Sequence, residues 1–575
     1  MNLVYGIPAS NGIAIGDILY YDHNFSFDLS KFKPKTIENS IQTFKEAILN
    51  TILYLEELSK KTEKEIGLKE AAIFDAQILM LEDEDFQESV IQKLYENLSL
   101  DQAILNVTND YVDKFNHMKN QYFKERSSDI KDVGKQILNT LSGKRPSMLS
   151  NLKKEVIIIA KELTPSDTAE MDKDKILGFA TELGGSTSHV AIIARALNVP
   201  AVVGAKELIK TVKENDFAII DGNNGTIIIN PDNKTLNKFR AIQTTFYEEE
   251  LENKRFSTRK AKTKDGYEVE VNANIGSVKD VRLALENGAD GIGLFRTEFL
   301  YLRSEKLPDE DMQYSTYKKV LETMKDKSVV LRILDVGGDK HIPSLNLKKE
   351  HNPFLGLRGS RFLLNAKLKD VLKKQIRAAL RASNYGNLKI MFPMVSIFEE
   401  INELTSMVKV CKKELEDEGY KIAESVDIGI MVEVPSVAIC AENFAPYVDF
   451  FSIGTNDLTQ YLLAADRTNE QIAPIYDHFH PALFRLIQTV VSAAHKYGKW
   501  VGICGELASE ALATPVLLGL GIDELSMNGN SIPKIKRQIS EISLEKSIEI
   551  LKTVLDLPTA KDVRRFLSQK SSIES

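Results

Sequence analysis

The chain has 575 residues, with 74 Lys and Arg against 82 Asp and Glu, a formal net charge of −8. That balance excludes the basic excess that marks most nucleic-acid binders, and 43% hydrophobic with 27% charged residues excludes a disordered chain. At about 100–200 residues per domain, the length implies roughly three domains.

The N-terminus MNLVYGIPAS lacks the basic start and apolar run of a signal peptide, and no later stretch is long and apolar enough to span a bilayer. A soluble, cytoplasmic protein without membrane insertion is expected. GIPASNGIAIGDILYY then reads as turns feeding a short strand. From about residue 35 to 142 the composition shifts to Lys, Glu, Leu, Ile and Ala, and Ile41, Phe44, Ile48, Ile52 and Leu55 form one stripe at helical spacing. This predicts a helical bundle over residues 22–144, inserted into an α/β domain made of residues 1–21 and 145–230. The strands expected there are EVIIIA (155–160), ILGFAT (176–181), PAVVGA (200–205), DFAIIDG (216–222) and GTIIIN (225–230), with a helix after residue 188. Residues 231–262 are charged nearly all round a helical pattern and read as a linker. From 263 to 575, eight apolar runs alternate with helical patterns, which predicts a (β/α)8 TIM barrel with its chemistry at the C-terminal strand ends.

At those ends stand Arg296, Arg332, Glu433, Asn456, Asp457, Arg467, Cys504 and Glu506. Any one arginine reads as a surface residue, but this many coincidences at one mouth point to a site. Arginine forks suit phosphate and carboxylate oxygens, and Glu433 with Asp457 offers hard ligands for Mg2+. A small, doubly anionic, phosphorylated acid is the expected substrate. Cys504 in VGICGE reads equally as a small buried hydrophobe or as a thiol that holds a proton at neutral pH and delivers it to carbon. Cys411 and Cys440 fall in helical patterns and read as structural; three scattered cysteines make no disulfide framework. A second constellation is GGSTSHVAIIAR (184–195), whose glycines and hydroxyls precede His189 at a helix start. Such a terminus favours anions, and imidazole can accept a phosphoryl group. His478 and His480 in DHFHP lack that context.

GGSTSHVAIIAR resembles the phosphohistidine signature of the family that includes enzyme I of the phosphoenolpyruvate:sugar phosphotransferase system, phosphoenolpyruvate synthase and pyruvate phosphate dikinase. DFFSIGTNDLTQY (449–461) resembles its second signature. GADGIGLFRTEFLY, LRILDVGGDK, NPFLGLRGSR and GICGE resemble its barrel motifs, while GIPASNGIAIG, AIFDAQILMLEDEDF (72–86) and YFKERSSDIKDVG (122–134) resemble enzyme I itself. The resemblance implies Mg2+-dependent phosphoryl transfer from phosphoenolpyruvate to His189, then to a histidine of the carrier protein HPr. Arg296, Arg332, Arg467, Asn456 and Asp457 would bind phosphoenolpyruvate, Glu433 and Asp457 the metal, and Cys504 would protonate the enolpyruvate. Arg358 would be a further ligand, and Thr168 would orient His189. It also implies HPr binding by the helical insertion, whose acidic run Glu82 to Asp85 reads equally as a solvated face, and a homodimer formed through the barrel. The sequence departs from the usual pattern at Ser186, where arginine is common, and at Val190, where a small residue is common. ATP-using relatives carry a further large domain for which this length leaves no room. A non-catalytic scaffold would be favoured by loss of His189, Cys504 or a metal carboxylate, and all are present.

Overall fold

The structure is a computed structural model that describes residues 1–21, 36–65, 68–117, 127–143, 149–150, 152–185, 188–213, 215–302, 306–338, 345, 350–366, 368–467, 469 and 471–573. It divides into two compact units, Met1–Glu248 and Glu249–Ser575.

The first unit holds an eight-stranded mixed sheet: β1 (Asn2–Tyr5), β2 (Ile7–Ser10), β3 (Ile13–Tyr21), β4 (Val156–Ala160), β5 (Ile176–Thr181), β6 (Ala201–Val203), β7 (Phe217–Asp221) and β8 (Thr226–Ile229). The strand order is β1-β8-β7-β3-β4-β5-β6-β2. β3 to β6 run parallel, as βαβ-like crossovers allow, and the remaining pairs are antiparallel. The first ten residues therefore supply both edges of the sheet. β4 is buried at every position, the mark of a central strand covered on both faces.

Among the described residues, five helices are inserted between β3 and β4: Ile37–Glu65, Leu68–Glu82, Glu84–Tyr95, Leu100–Asn116 and Ser127–Ser142. The helical stripe does what its spacing demands: Phe44, Ile48 and Leu55 are buried with Phe74, Phe86, Ile104 and Ile137, and Ile41 and Ile52 pack against them. Asp83, in the acidic run, caps its helix by accepting from the amides of Asp85 and Phe86. Buried polar ties join the bundle to the sheet layer, with Lys135 Nζ 3.0 Å from Asp167 and the Ser166 amide donating to Asp132. Helix Asn233–Arg255 runs through the division between the units and has no buried residue. Its early turns touch the sheet through Leu236 and Phe239, and Gln243 donates to Ile13 O.

The second unit is a closed barrel of parallel strands, β9 (Glu270–Ile275), β10 (Ile292–Arg296), β11 (Ser328–Arg332), β12 (Asn387–Phe392), β13 (Asp427–Val432), β14 (Phe450–Ile453), β15 (Trp500–Ile503) and β16 (Glu524–Met527). Outward residues such as Val271, Leu331, Ile390, Ile430 and Leu525 join the layer under the helices. The interior has two characters. One part is apolar, with Leu294, Val330, Met391, Met431, Phe450 and Cys504; the other is polar, with Asn272, Ser452, Glu524 and Ser526 all buried. Branched apolar side chains usually fill such a barrel.

Candidate functional site

The sequence put Arg296 at the end of its apolar run and Arg332 within the third; both are the last residues of their strands, β10 and β11, and partners in register, because β11 stops before its apolar run does. Two guanidinium groups side by side repel. Arg296 keeps solvent contact but stands in a dense protein surround that, with the neighbouring Arg332 charge, holds it below the usual arginine range. Arg332 is buried, which opposes its charge, yet the carboxylates of Glu298, Asp335 and Glu433 hold it above the usual range. It donates to Glu298 Oε1 at 2.5 Å and lies 3.6 Å from Asp335, while its Nε is buried with no partner. That Nε is a donor waiting for an acceptor. Buried Gln375 fixes the two strand ends together, accepting from the Leu334 amide and donating to Thr297 Oγ1, which in turn donates to Arg332 O.

Arg358 differs from the other arginines. It is buried, and its guanidinium donates to both oxygens of Asp335 (3.1 and 3.1 Å) and both of Asp457 (2.9 and 3.0 Å). Tyr461 accepts a further bond from it and donates to Phe354 O. With both edges spent, Arg358 positions Asp457 in this state. Asn456 and Asp457 lie not at a strand end but in the first turn of helix Thr455–Leu462, because β14 stops at Ile453 and Gly454 turns the chain. Asn456 is locked to Glu506, donating to its carboxylate at 3.1 Å and accepting from its amide at 2.9 Å. Arg467 stands 4.0 Å from Asp457.

Glu433 directly follows β13 and is fully enclosed. Burial, with Asp457 and Asp335 close by, pushes its carboxyl up to about 8, although the Met394 amide donates to it. Burial also raises Asp457, but the Arg358 hydrogen bonds and charge bring it below the usual carboxylate range. Glu433 and Asp457 thus offer two carboxylates where a cation would relieve an unfavourable charge. Among the described residues no group of three or more His, Cys, Asp or Glu is placed for a metal. A donor set of this size suits Mg2+, which takes one or two carboxylates and completes its shell with water and substrate oxygens.

Cys504 follows β15, buried, with its thiol 3.8 Å from Ile453 O. Burial pushes the thiol up to about 11, so it keeps its proton at neutral pH. Cys411 is buried in helix Phe398–Asp417, as its pattern suggested; Cys440 is exposed between two short helices, because the helical pattern breaks there. Sequence reasoning missed Glu298, Asp335 and Gln375. The first two stand only two or three residues after a strand-end arginine, which is the signal that could have found them.

In the first unit, His189 begins helix His189–Leu197, capped by the Ser188 hydroxyl, which accepts from the Ala191 amide. Gly184 takes φ +109°, a conformation that favours glycine. Val190, Ala191 and Ala194 bury the helix in the sheet core, so the bulk of Val190 is absorbed there. Ser186, Thr187 and the His189 side chain lie outside the described part of the chain. Thr168 is buried in helix Pro165–Glu170, which packs on the His189 helix. Its hydroxyl donates to Pro165 O at 2.8 Å, so toward another group it can only accept.

Residues 250–544 match the family described as PEP-utilising enzyme, PEP-binding domain; residues 152–225 match its mobile domain and residues 5–126 its N-terminal domain. The chain is 42% identical to the phosphoenolpyruvate-protein phosphotransferase of Priestia megaterium over 98% of each chain. It is 42% identical to that of Bacillus subtilis (strain 168), over 99% of this chain and 100% of that one. A solution structure described as enzyme I is 37% identical, covers 42% of this chain and 99% of that chain, and has a TM-score of 0.36.

Proposed function

The chain belongs to the enzyme I family of phosphoenolpyruvate-protein phosphotransferases, and we propose that its own His189 takes the phosphoryl group of phosphoenolpyruvate and passes it to a histidine of HPr. The observation that carries this reading is the register pair Arg296 and Arg332, with a buried unpartnered Arg332 Nε, at the same barrel mouth as a thiol that stays protonated.

In the proposed reaction Arg296, Arg332 and Arg467 hold the phosphate and carboxylate oxygens, and Asn456 and Asp457 complete the substrate contacts. Transfer spreads negative charge over the equatorial phosphate oxygens. Guanidinium groups fixed beforehand stabilise that charge without reorganising. The phosphorus–oxygen bond to the enol breaks as a phosphorus–nitrogen bond to His189 forms. Cys504 then gives its proton to C3 of the enolate, and pyruvate leaves. Glu433 and Asp457 would hold Mg2+, which when bound supplies neutralisation of phosphate charge.

The domain reading follows: residues 1–21 with 145–230 carry the phosphohistidine, 22–144 meet HPr, 231–262 link, and 263–575 bind phosphoenolpyruvate and dimerise. Because the reacting imidazole and the arginines belong to different units, the reaction requires the phosphohistidine unit to come to the barrel and leave again. The decisive experiment incubates the protein with labelled phosphoenolpyruvate and Mg2+. An acid-labile, base-stable label that HPr discharges, and that His189→Ala abolishes, is expected; an unlabelled wild type would sink the reading.

A further inference from the structure

An exposed carboxylate at the rim of a site for a doubly anionic substrate works against binding, and Glu506 is such a group. It lies two residues beyond Cys504 and stands near enough to Arg296 for its charge to act on that guanidinium. It has no part in the proposed reaction. Its hydrogen bonds supply one.

Glu506 holds the side-chain amide of Asn456 at both ends. Its backbone amide donates to Asn456 Oδ1 at 2.9 Å, and its carboxylate accepts from Asn456 Nδ2 at 3.1 Å. An asparagine amide has an acceptor oxygen on one side and a donor nitrogen on the other, nearly equal in shape, so packing alone does not choose between its two orientations. Glu506 does choose. Turned over, the amide would set N–H against N–H and oxygen against carboxylate. In the orientation that remains, one Nδ2 proton is spent on Glu506 and the second is left for a substrate oxygen.

The backbone around this pair is fitted to it. Tyr476 Oη donates to Asn456 O at 3.0 Å, so the residue is held by its main chain as well. Gly505 takes φ −78°, which any residue adopts, so this glycine serves a close approach and not a turn. A Cβ on it would lie 1.9 Å from Thr455 Oγ1 and 2.6 Å from the Thr455 nitrogen. That approach brings the start of helix Thr455–Leu462 against the segment that follows Cys504. The segment is itself anchored, with the Cys504 amide donating to Ile453 O at 3.1 Å and Asn274 Nδ2 donating to Cys504 O at 3.0 Å.

We propose that Glu506 is a positioning residue for phosphoenolpyruvate: it holds Asn456 in the one orientation that leaves an N–H for the substrate, and the same contact ties the helix bearing Asn456 and Asp457 to the segment bearing the proton donor. The inference rests on the enzyme I reading, and Glu506 acts through Asn456 rather than on substrate. The role requires an acceptor oxygen at that reach. It does not require the negative charge.

The test measures steady-state pyruvate release by the full chain with Mg2+ and saturating HPr over a range of phosphoenolpyruvate concentrations. Glu506→Ala removes charge and acceptor together. Loss of a rim charge alone would lower KM for an anion, whereas loss of the acceptor frees Asn456, so KM is expected to rise about tenfold with kcat within about threefold of wild type. Glu506→Gln keeps an acceptor oxygen at the same reach without the charge, and should bring KM back to within about threefold of wild type. Asn456→Ala and the double variant Asn456→Ala with Glu506→Ala should share one KM, because Glu506 then has nothing left to orient. Glu506→Asp keeps the charge and withdraws the acceptor by one methylene; it should raise KM likewise, and it carries the test if Glu506→Ala fails to fold. An unchanged or lowered KM in Glu506→Ala overturns the inference, as does a Glu506→Gln no better than Glu506→Ala, or a double variant with a higher KM than Asn456→Ala alone. A fall in kcat at wild-type KM overturns it too, since that places the effect on proton delivery. A wild type that releases no pyruvate overturns the phosphotransferase reading and this inference with it.

Discussion

Arg358 is buried between Asp335 and Asp457 with five donated bonds accounted for, four to carboxylate oxygens and one to Tyr461. Replacing it with Met leaves two buried carboxylates short of a cation. Arg358→Met should cost about 3–5 kcal/mol, read as a lower urea midpoint with an unchanged slope. Cys504→Ala should reduce pyruvate formation by about 100-fold or more while KM for phosphoenolpyruvate stays near wild type, since the thiol donates a proton and is not assigned to binding. Unchanged turnover would return Cys504 to the small buried hydrophobe its spacing also allowed. Arg296 was legible in the sequence because it closes an apolar run at the end where barrels keep their chemistry; Arg332 lies inside the run VVLRILDV, which continues past the end of its strand. Glu298 and Asp335 were not, because spacing cannot say which residue of a loop turns back onto a strand end. Glu524 was hidden for the opposite reason: a polar residue opening a strand reads as solvated, and only closure of the barrel buries it.

Secondary elements were legible wherever one periodicity dominated. The stripe through Phe44, Ile48 and Leu55 and the eight apolar barrel runs became the expected helix and strands. The reading failed by a few residues where a short strand gives way to a helix, as at Gly454, since an apolar run contains no mark of where pairing stops. The acidic run shows a division of labour within one element. Asp83 is occupied as a cap, and Glu84 and Asp85 sit in the first turn, where the helix dipole favours negative charge. Glu82, Glu84 and Asp85 are exposed and free of the capping role. If they face HPr, Glu82→Lys with Asp85→Lys should slow phosphoryl transfer to HPr about tenfold at low salt and leave His189 phosphorylation by phosphoenolpyruvate unchanged. Equal HPr rates would make the run a solvated face only.

At the scale of the molecule, among the described residues the helix Asn233–Arg255 is held to the sheet through its early turns and accepts from Arg537 at Asn253 near its end, and the division between units falls at Glu248. The exposed stretch between Gln243 and Asn253 opens first, so limited digestion by a glutamate-specific protease should cut at Glu248, Glu249 or Glu250 before the barrel strands; cleavage beginning within the barrel would contradict this. Stability should also depend on pH through Glu524. Its folded carboxyl, facing Glu270, Asp523 and Lys389, is raised to about 8, against an ordinary unfolded value of about 4.3. The folded chain therefore binds the extra proton, and this stability is complete below the unfolded value and lost as pH rises to about 8. Glu524→Gln should flatten the fall in Tm between pH 5 and pH 8 in a thermal scan; an unaltered slope would contradict it. The sheet of the first unit carries a different consequence, for synthesis. β1 and β2 leave the ribosome before their partners, yet β1 pairs with β8 and β2 with β6, about 200 residues later. β2 must wait unpaired for β6 and β1 for β8, so the two edges of this sheet form in order during translation, the β2 edge first and the β1 edge last.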